Sequence, residues 1–198
     1  MGVNTKRLRA TLGWLGIFLP WLVVLITGGF PPSISSTYYT NAVAVFMIVL
    51  GSAGILLICY KGYSVLDDII FTASGIFGIG ICLFPCETEL FVRVGTFNLP
   101  VEVSGIIHNV CAACFFALLS LSSLFLFTKS DGYPTKKKKI RNIIYIVCGI
   151  GMLGSFLLFL LPDFYIKTWL IEAVALFFFG ISWLTKADIY KFLFCDDD

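Results

Sequence analysis

The stretch Lys167–Leu184, KTWLIEAVALFFFGISWL, decides the fold class. Its only charged residues are Lys167 at the edge and Glu172 inside. An amphipathic helix of a soluble protein keeps a charged or polar face at every turn. This stretch has none, and its length is close to the roughly 20 apolar residues that cross a bilayer. Five further runs read the same way: Leu12–Gly29, Ala42–Tyr60, Ile69–Pro85, Val103–Phe127 and Ile143–Leu161. They are continuously apolar, whereas barrel strands alternate over about ten residues. The expectation is an all-α, polytopic membrane protein, with six transmembrane helices in one bundle and a single domain over residues 1–198.

Composition agrees. Of the 198 residues 59% are apolar and 13% charged, with mean hydropathy +0.95. A soluble domain carries about 25% charged residues, so too little polar surface remains to cover a soluble core. The net charge of +2 gives no reason to expect nucleic acid. A single His excludes a multi-histidine zinc site, and no phosphate-binding loop or hydrolase signature occurs. No metal or cofactor is expected.

Placement of charge gives orientation. With the N-terminus inside, the inner segments hold Lys6, Arg7, Arg9, Lys61, Lys129, Lys136 to Lys139, Arg141, Lys186 and Lys191, twelve of the fourteen basic residues. Only Arg93 and Lys167 fall outside. Basic residues favour the cytoplasmic side, so both termini are expected there. The first run follows Lys6, Arg7 and Arg9 but exceeds the about 7–15 apolar residues of a signal peptide. Gly28-Gly29-Phe30-Pro31-Pro32 follows it rather than a small-residue cleavage site, so it reads as an uncleaved helix. Trp169 and Trp183 lie about 21 Å apart along a helix, a spacing that suits the two interfaces.

Polar residues inside the runs mark the candidate site. Glu172 lies about a turn and a half from the outer end of its helix. A carboxylate in hydrocarbon usually faces the protein interior and carries a partner or a proton. Pairing with Lys167 at the headgroup level is the plainer alternative. His108 and Asn109 begin the fourth run on the same side. Tyr38 and Tyr39, in the uncharged stretch Ser33–Thr40, face that leaflet too. Together His108, Asn109, Glu172, Tyr38 and Tyr39 form a candidate outer-leaflet pocket for a membrane lipid, a small amphiphile, or a proton or solute in passage. His108 and Glu172 would share a proton or a headgroup if the fourth and sixth helices are neighbours.

Two other readings stand beside it. Acid–base chemistry at His108 and Glu172, or thiol chemistry at Cys111-Ala-Ala-Cys114, would make a membrane enzyme acting on a lipid or quinone. Against the thiol route, the first outer loop has no Cys for a shuttle pair. A structural or regulatory subunit is the third reading, with the polar residues only locking helices together. At the inner side Tyr60–Tyr63, Asp67, Asp68, Lys186 and Asp188 read as a structural clamp. Gly132, Tyr133 and Pro134 read as a loop before the basic run. Small residues, among them Ser74, Gly78 and Cys82, Gly51 and Gly54, Gly151 and Ser155, and Gly180, mark close helix crossings.

Across Ser33–Thr40, Tyr60–Tyr63, Ile107–Phe116, Arg141–Gly149 and Trp169–Leu184 the chain resembles a group of small bacterial six-helix membrane proteins, domains of unknown function distantly similar to the DRAM-like proteins. The resemblance implies six helices and a multi-pass location in a bacterial inner or plasma membrane. It implies no activity and no functional residue.

Overall fold

The computed structural model describes residues 4–129 and 135–189. Lys191 and the expected loop at Gly132–Pro134 lie outside the described residues. The chain is all-α, 75% helical. Among the described residues six α-helices follow in order: α1 Thr5–Thr27, α2 Val43–Cys59, α3 Val65–Leu83, α4 Val101–Leu121, α5 Lys136–Gly154 and α6 Lys167–Lys186. A π-helical turn, Ser122–Leu126, extends α4, and a 3-10 turn, Ser155–Leu160, extends α5. Counting those extensions, five helices are long and apolar enough to cross a membrane. The sixth, α2, is apolar but only 17 residues long.

Helix starts differ from the apolar runs because polar caps set them. α3 begins at Val65, four residues before its run, where the Ser64 side chain accepts the Asp67 amide and Asp67 and Asp68 fill the first turn. α5 begins at Lys136 because Thr135 caps it, and Lys and Arg are good helix formers. Between α3 and α4 a two-residue hairpin, β1 Arg93–Val94 with β2 Leu99–Pro100, pairs antiparallel. Its turn places Gly95 and Asn98 at positive φ.

Each helix packs on its chain neighbours, and α6 returns onto α1, so the six form a closed ring. The α1–α6 and α2–α3 crossings are the tightest. A Cβ on Gly180 would lie 2.7 Å from the Gly13 carbonyl oxygen, and one on Gly54 2.9 Å from the Gly75 carbonyl oxygen. Only glycine allows that approach. Gly51, by contrast, faces open space and makes no crossing. Serines supply the polar contacts: Ser123 Oγ donates to the Tyr145 carbonyl and lies 2.8 Å from Ser182 Oγ, joining the π-turn to α5 and α6.

Helix directions alternate, which gives the ring a basic end and a hairpin end. At the basic end Arg9 donates to Tyr60 Oη at 3.1 Å and to the Lys186 carbonyl at 3.4 Å, so the start of α1 meets the ends of α2 and α6. Buried Asp67 accepts from Lys129 Nζ and Ser64 Oγ, both at 2.7 Å, and from the Tyr63 amide at 3.1 Å. The expected clamp is therefore present at its Tyr60–Asp68 part. Trp183 and Trp169 are not interface anchors. Both are buried: Trp183 packs edge-on to Tyr60 and Phe127, and Trp169 to Trp21 and Phe30.

Candidate functional site

The hairpin end is built from segments that fold back into the ring. After α1, Ser33 and Ser36 bond each other's backbone and turn the chain into a short 3-10 helix, Ser35–Tyr39. The Pro32 carbonyl accepts the Trp169 amide at 3.0 Å, one of the free donors at the start of α6. One turn further along α6, Glu172 accepts from the Ile34 amide at 2.5 Å and from Ser35 Oγ at 2.7 Å. These two donors explain how a carboxylate sits within an apolar helix: it is held by the folded-back segment, not by lipid. Lys167 does not pair with it. The Lys167 ammonium donates to the Phe159 and Leu161 carbonyls and to Asp163, capping the 3-10 turn that ends α5.

His108 is 3% exposed and its Nδ1 lies 2.8 Å from the Phe84 carbonyl oxygen. A carbonyl only accepts, so Nδ1 donates. One turn earlier Ser104 Oγ donates to the Pro85 carbonyl at 2.8 Å. The first turns of α4 thus take up the carbonyls left unpaired where Pro85 stops α3. On the other side of the end, Tyr39 Oη donates to the Cys86 carbonyl at 2.6 Å. Burial, with Cys86 and Tyr38 beside it, pushes the Tyr39 phenol up to about 12. Burial, with the Glu172 carboxylate nearby, pushes the Cys86 thiol up to about 12, so it stays protonated and unreactive.

Between α4, α6 and the 3-10 turn lies a cavity of about 460 Å³. Its polar lining is His108, Asn109, Thr168 and Glu172. Its apolar lining includes Ala112, Ala113, Phe116, Phe156, Phe159 and Ala175. Asn109 and Ala113 are exposed at the mouth, whereas Ala175 at the floor is fully buried. Glu172, Ala112 and Phe116 also border a small void of about 30 Å³ toward the ring interior, room enough for a water molecule. Glu172 therefore stands between the small inner void and the larger chamber.

The sequence-derived candidates divide accordingly. His108, Asn109 and Glu172 line one chamber, yet His108 and Glu172 make no hydrogen bond to each other, each being engaged by backbone from a different segment. Tyr38 and Tyr39 do not line it. They pack edge-on at 5.2 Å, and Tyr39 faces Cys86 and Phe91. Thr168, Phe156 and Phe159 are wall residues the sequence reading passed over. Thr168 precedes Glu172 by four, a same-face spacing on a helix. Phe156 and Phe159 are three apart in a 3-10 turn, which repeats every three residues and so stacks them, at 6.3 Å.

Cys111 and Cys114 are outside the chamber lining, and Cys111 Sγ packs against Gly80 of α3. The described cysteines are all free. Among the described residues no group of His, Cys, Asp and Glu could hold a metal ion. A chamber of this size, with hydrogen-bonding groups from α4 and α6 and aromatic rings from α4 and the 3-10 turn, can bind and orient a ligand. Set against protein-family models, curated proteins and solved structures, the chain matches none of them.

Proposed function

We propose that this chain is a six-span integral membrane protein that holds a small amphiphile, without chemistry, in the chamber between α4, α6 and the 3-10 turn. In this reading both termini are cytoplasmic and the chamber lies in the outer half of the bilayer, following the distribution of Lys and Arg. The resemblance to small six-helix membrane proteins is part of the same proposal. One observation carries it: a cavity of about 460 Å³ whose polar side chains, His108 and Asn109 of α4 and Thr168 and Glu172 of α6, all come from the hairpin-end halves of those helices, with Phe and Ala side chains making up most of the rest. Ligand sites commonly span about 300–1,000 Å³, mostly apolar with a few placed polar groups. The polar side chains would take a headgroup and the Phe rings and alanines its chain, entry coming from the membrane lipids.

The test is native mass spectrometry of the chain purified in a mild non-ionic detergent. Ala113→Trp fills the mouth without touching the Glu172 hydrogen bonds. Wild type should retain a small amphiphile that the Trp variant loses at unchanged thermal stability. Equal occupancy in the two, or none in either, defeats the proposal.

A second reading has its own observation. Both Glu172 oxygens are engaged by the Ile34–Ser35 backbone turn, which suffices for a purely structural role as a tie between α6 and the segment after α1. That role predicts that Glu172→Gln lowers stability equally with and without added amphiphile. The binding reading predicts a further loss of the ligand-dependent part.

A further inference from the structure

We infer that the chamber between α4, α6 and the 3-10 turn selects an amphiphile with an ammonium headgroup. The inference rests on the binding proposal above and narrows its ligand class. Three observations carry it. First, among the described residues the only side chain lining the chamber that can carry negative charge is Glu172, and none of them that line it is Lys or Arg. Second, the nearest described cation, Lys167, is drawn away by three oxygens, those of Phe159, Leu161 and Asp163, within 2.6–3.0 Å. Third, Phe116, Phe156 and Phe159 line the same space, Phe116 edge-on to Phe156 at 5.9 Å and Phe156 stacked on Phe159. Aromatic faces attract cations, and a site that combines them with a carboxylate is suited to organic ammonium groups.

The two hydrogen bonds to Glu172 reinforce the argument. They come from behind, out of the segment at Ile34 and Ser35. A carboxylate offers about four lone-pair positions, so acceptor capacity remains for a headgroup in the chamber. Asn109 at the mouth supplies an amide oxygen for a second N–H. An anionic headgroup would meet Glu172 with no Lys or Arg on the lining to offset it, and His108, 3% exposed, already gives its Nδ1 to the Phe84 carbonyl; leaving such a pair of like charges desolvated is costly. An uncharged hydroxyl headgroup would bind between these extremes.

The probes are dodecylammonium, dodecanol and dodecanoate, matched in chain length and differing in headgroup charge. They are added to the purified chain in neutral maltoside detergent, and affinity is read from the thermal midpoint against concentration. Dodecylammonium should bind about tenfold or more tighter than dodecanoate, a difference of about 1.4 kcal/mol. Glu172→Gln should remove that preference, and Ala113→Trp should abolish binding of all three. Lysophosphatidylethanolamine carries the same ammonium beside a phosphate. Binding of it as well assigns the ammonium to a membrane lipid, and its exclusion assigns the site to a free amine; either supports the inference.

Dodecanoate binding as tightly as dodecylammonium, or a preference that survives Glu172→Gln, overturns the ammonium assignment. If all three then still depend on Ala113, the chamber remains a binding site and only its selectivity is wrong. If no probe stabilises wild type, the binding proposal itself falls. Should Glu172→Gln not fold, the wild-type ranking of the three headgroups still decides.

Discussion

Replacing Ser35 with Ala tests how the candidate site is held. The Ser35 hydroxyl is 8% exposed and donates to Glu172 at 2.7 Å. A hydrogen bond to a charged group contributes about 1.5–3 kcal/mol, and the Ile34 amide is left as the partner from this segment. Ser35→Ala should therefore weaken the hold on the segment by about 2 kcal/mol. At about 1.4 kcal/mol per tenfold, that multiplies its local opening roughly 30-fold. Hydrogen exchange reads this directly, because the Thr37 and Thr40 amides are protected by bonds to Ile34 and Thr37 within the same segment. Their exchange should speed up by that factor while the amides in the middle of α6 stay as they were. Exchange at Thr37 and Thr40 within about threefold of wild type, under ~0.7 kcal/mol, would refute the view that Glu172 organises this end.

Asp67→Ala should cost about 3 kcal/mol, since it leaves Ser64 Oγ and the Tyr63 amide without their acceptor; Lys129→Ala should cost about 1–3 kcal/mol, because it leaves the buried Asp67 carboxylate without its counter-charge while Ser64 Oγ and the Tyr63 amide still donate to it. Comparison of detergent unfolding midpoints checks both. Gly180→Leu should destabilise by about 3 kcal/mol or more, as a side chain there must displace the Gly13 carbonyl across the α1–α6 crossing, and an unchanged melting temperature would contradict that crossing. Tyr39 is neutral when folded up to about 12 but ionises nearer 10 when unfolded. Its contribution is thus complete below pH 10 and is lost as pH rises toward 12. Tyr39→Phe should flatten the alkaline loss of stability, measured as midpoint against pH. Cys86, held near 12, should resist thiol alkylation at pH 8 in the folded chain and react on unfolding.

Much of this architecture is legible from apolar runs, because length and hydropathy are local properties. Helix starts are less so: α3 and α5 reach back into charged sequence, where Ser64 and Thr135 supply caps that a hydropathy reading passes over. Glu172, His108 and Asn109 stand out as polar residues in apolar surroundings; Tyr38 and Tyr39 do not line the chamber with them, Tyr39 facing Cys86 and Phe91 and Tyr38 packing on Tyr39. Phe156 and Phe159 were hidden for a different reason. Residues three apart share a face in an α-helix as well, but Phe156 and Phe159 lie in an apolar run where neither contrasts with its neighbours, and the 3-10 turn that brings them into line is not marked by any residue type.

The closure of the ring also has a consequence for biogenesis. α1 makes its most extensive contact with α6, which begins about 140 residues after α1 ends. At ribosomal speeds of about 5–20 residues per second, the first helix waits roughly 7–30 s for its principal mate. Throughout that delay the notch formed by Gly13 and Gly16 stands without its filling, because the side chains that pack into it, Leu184 and Phe179, belong to α6.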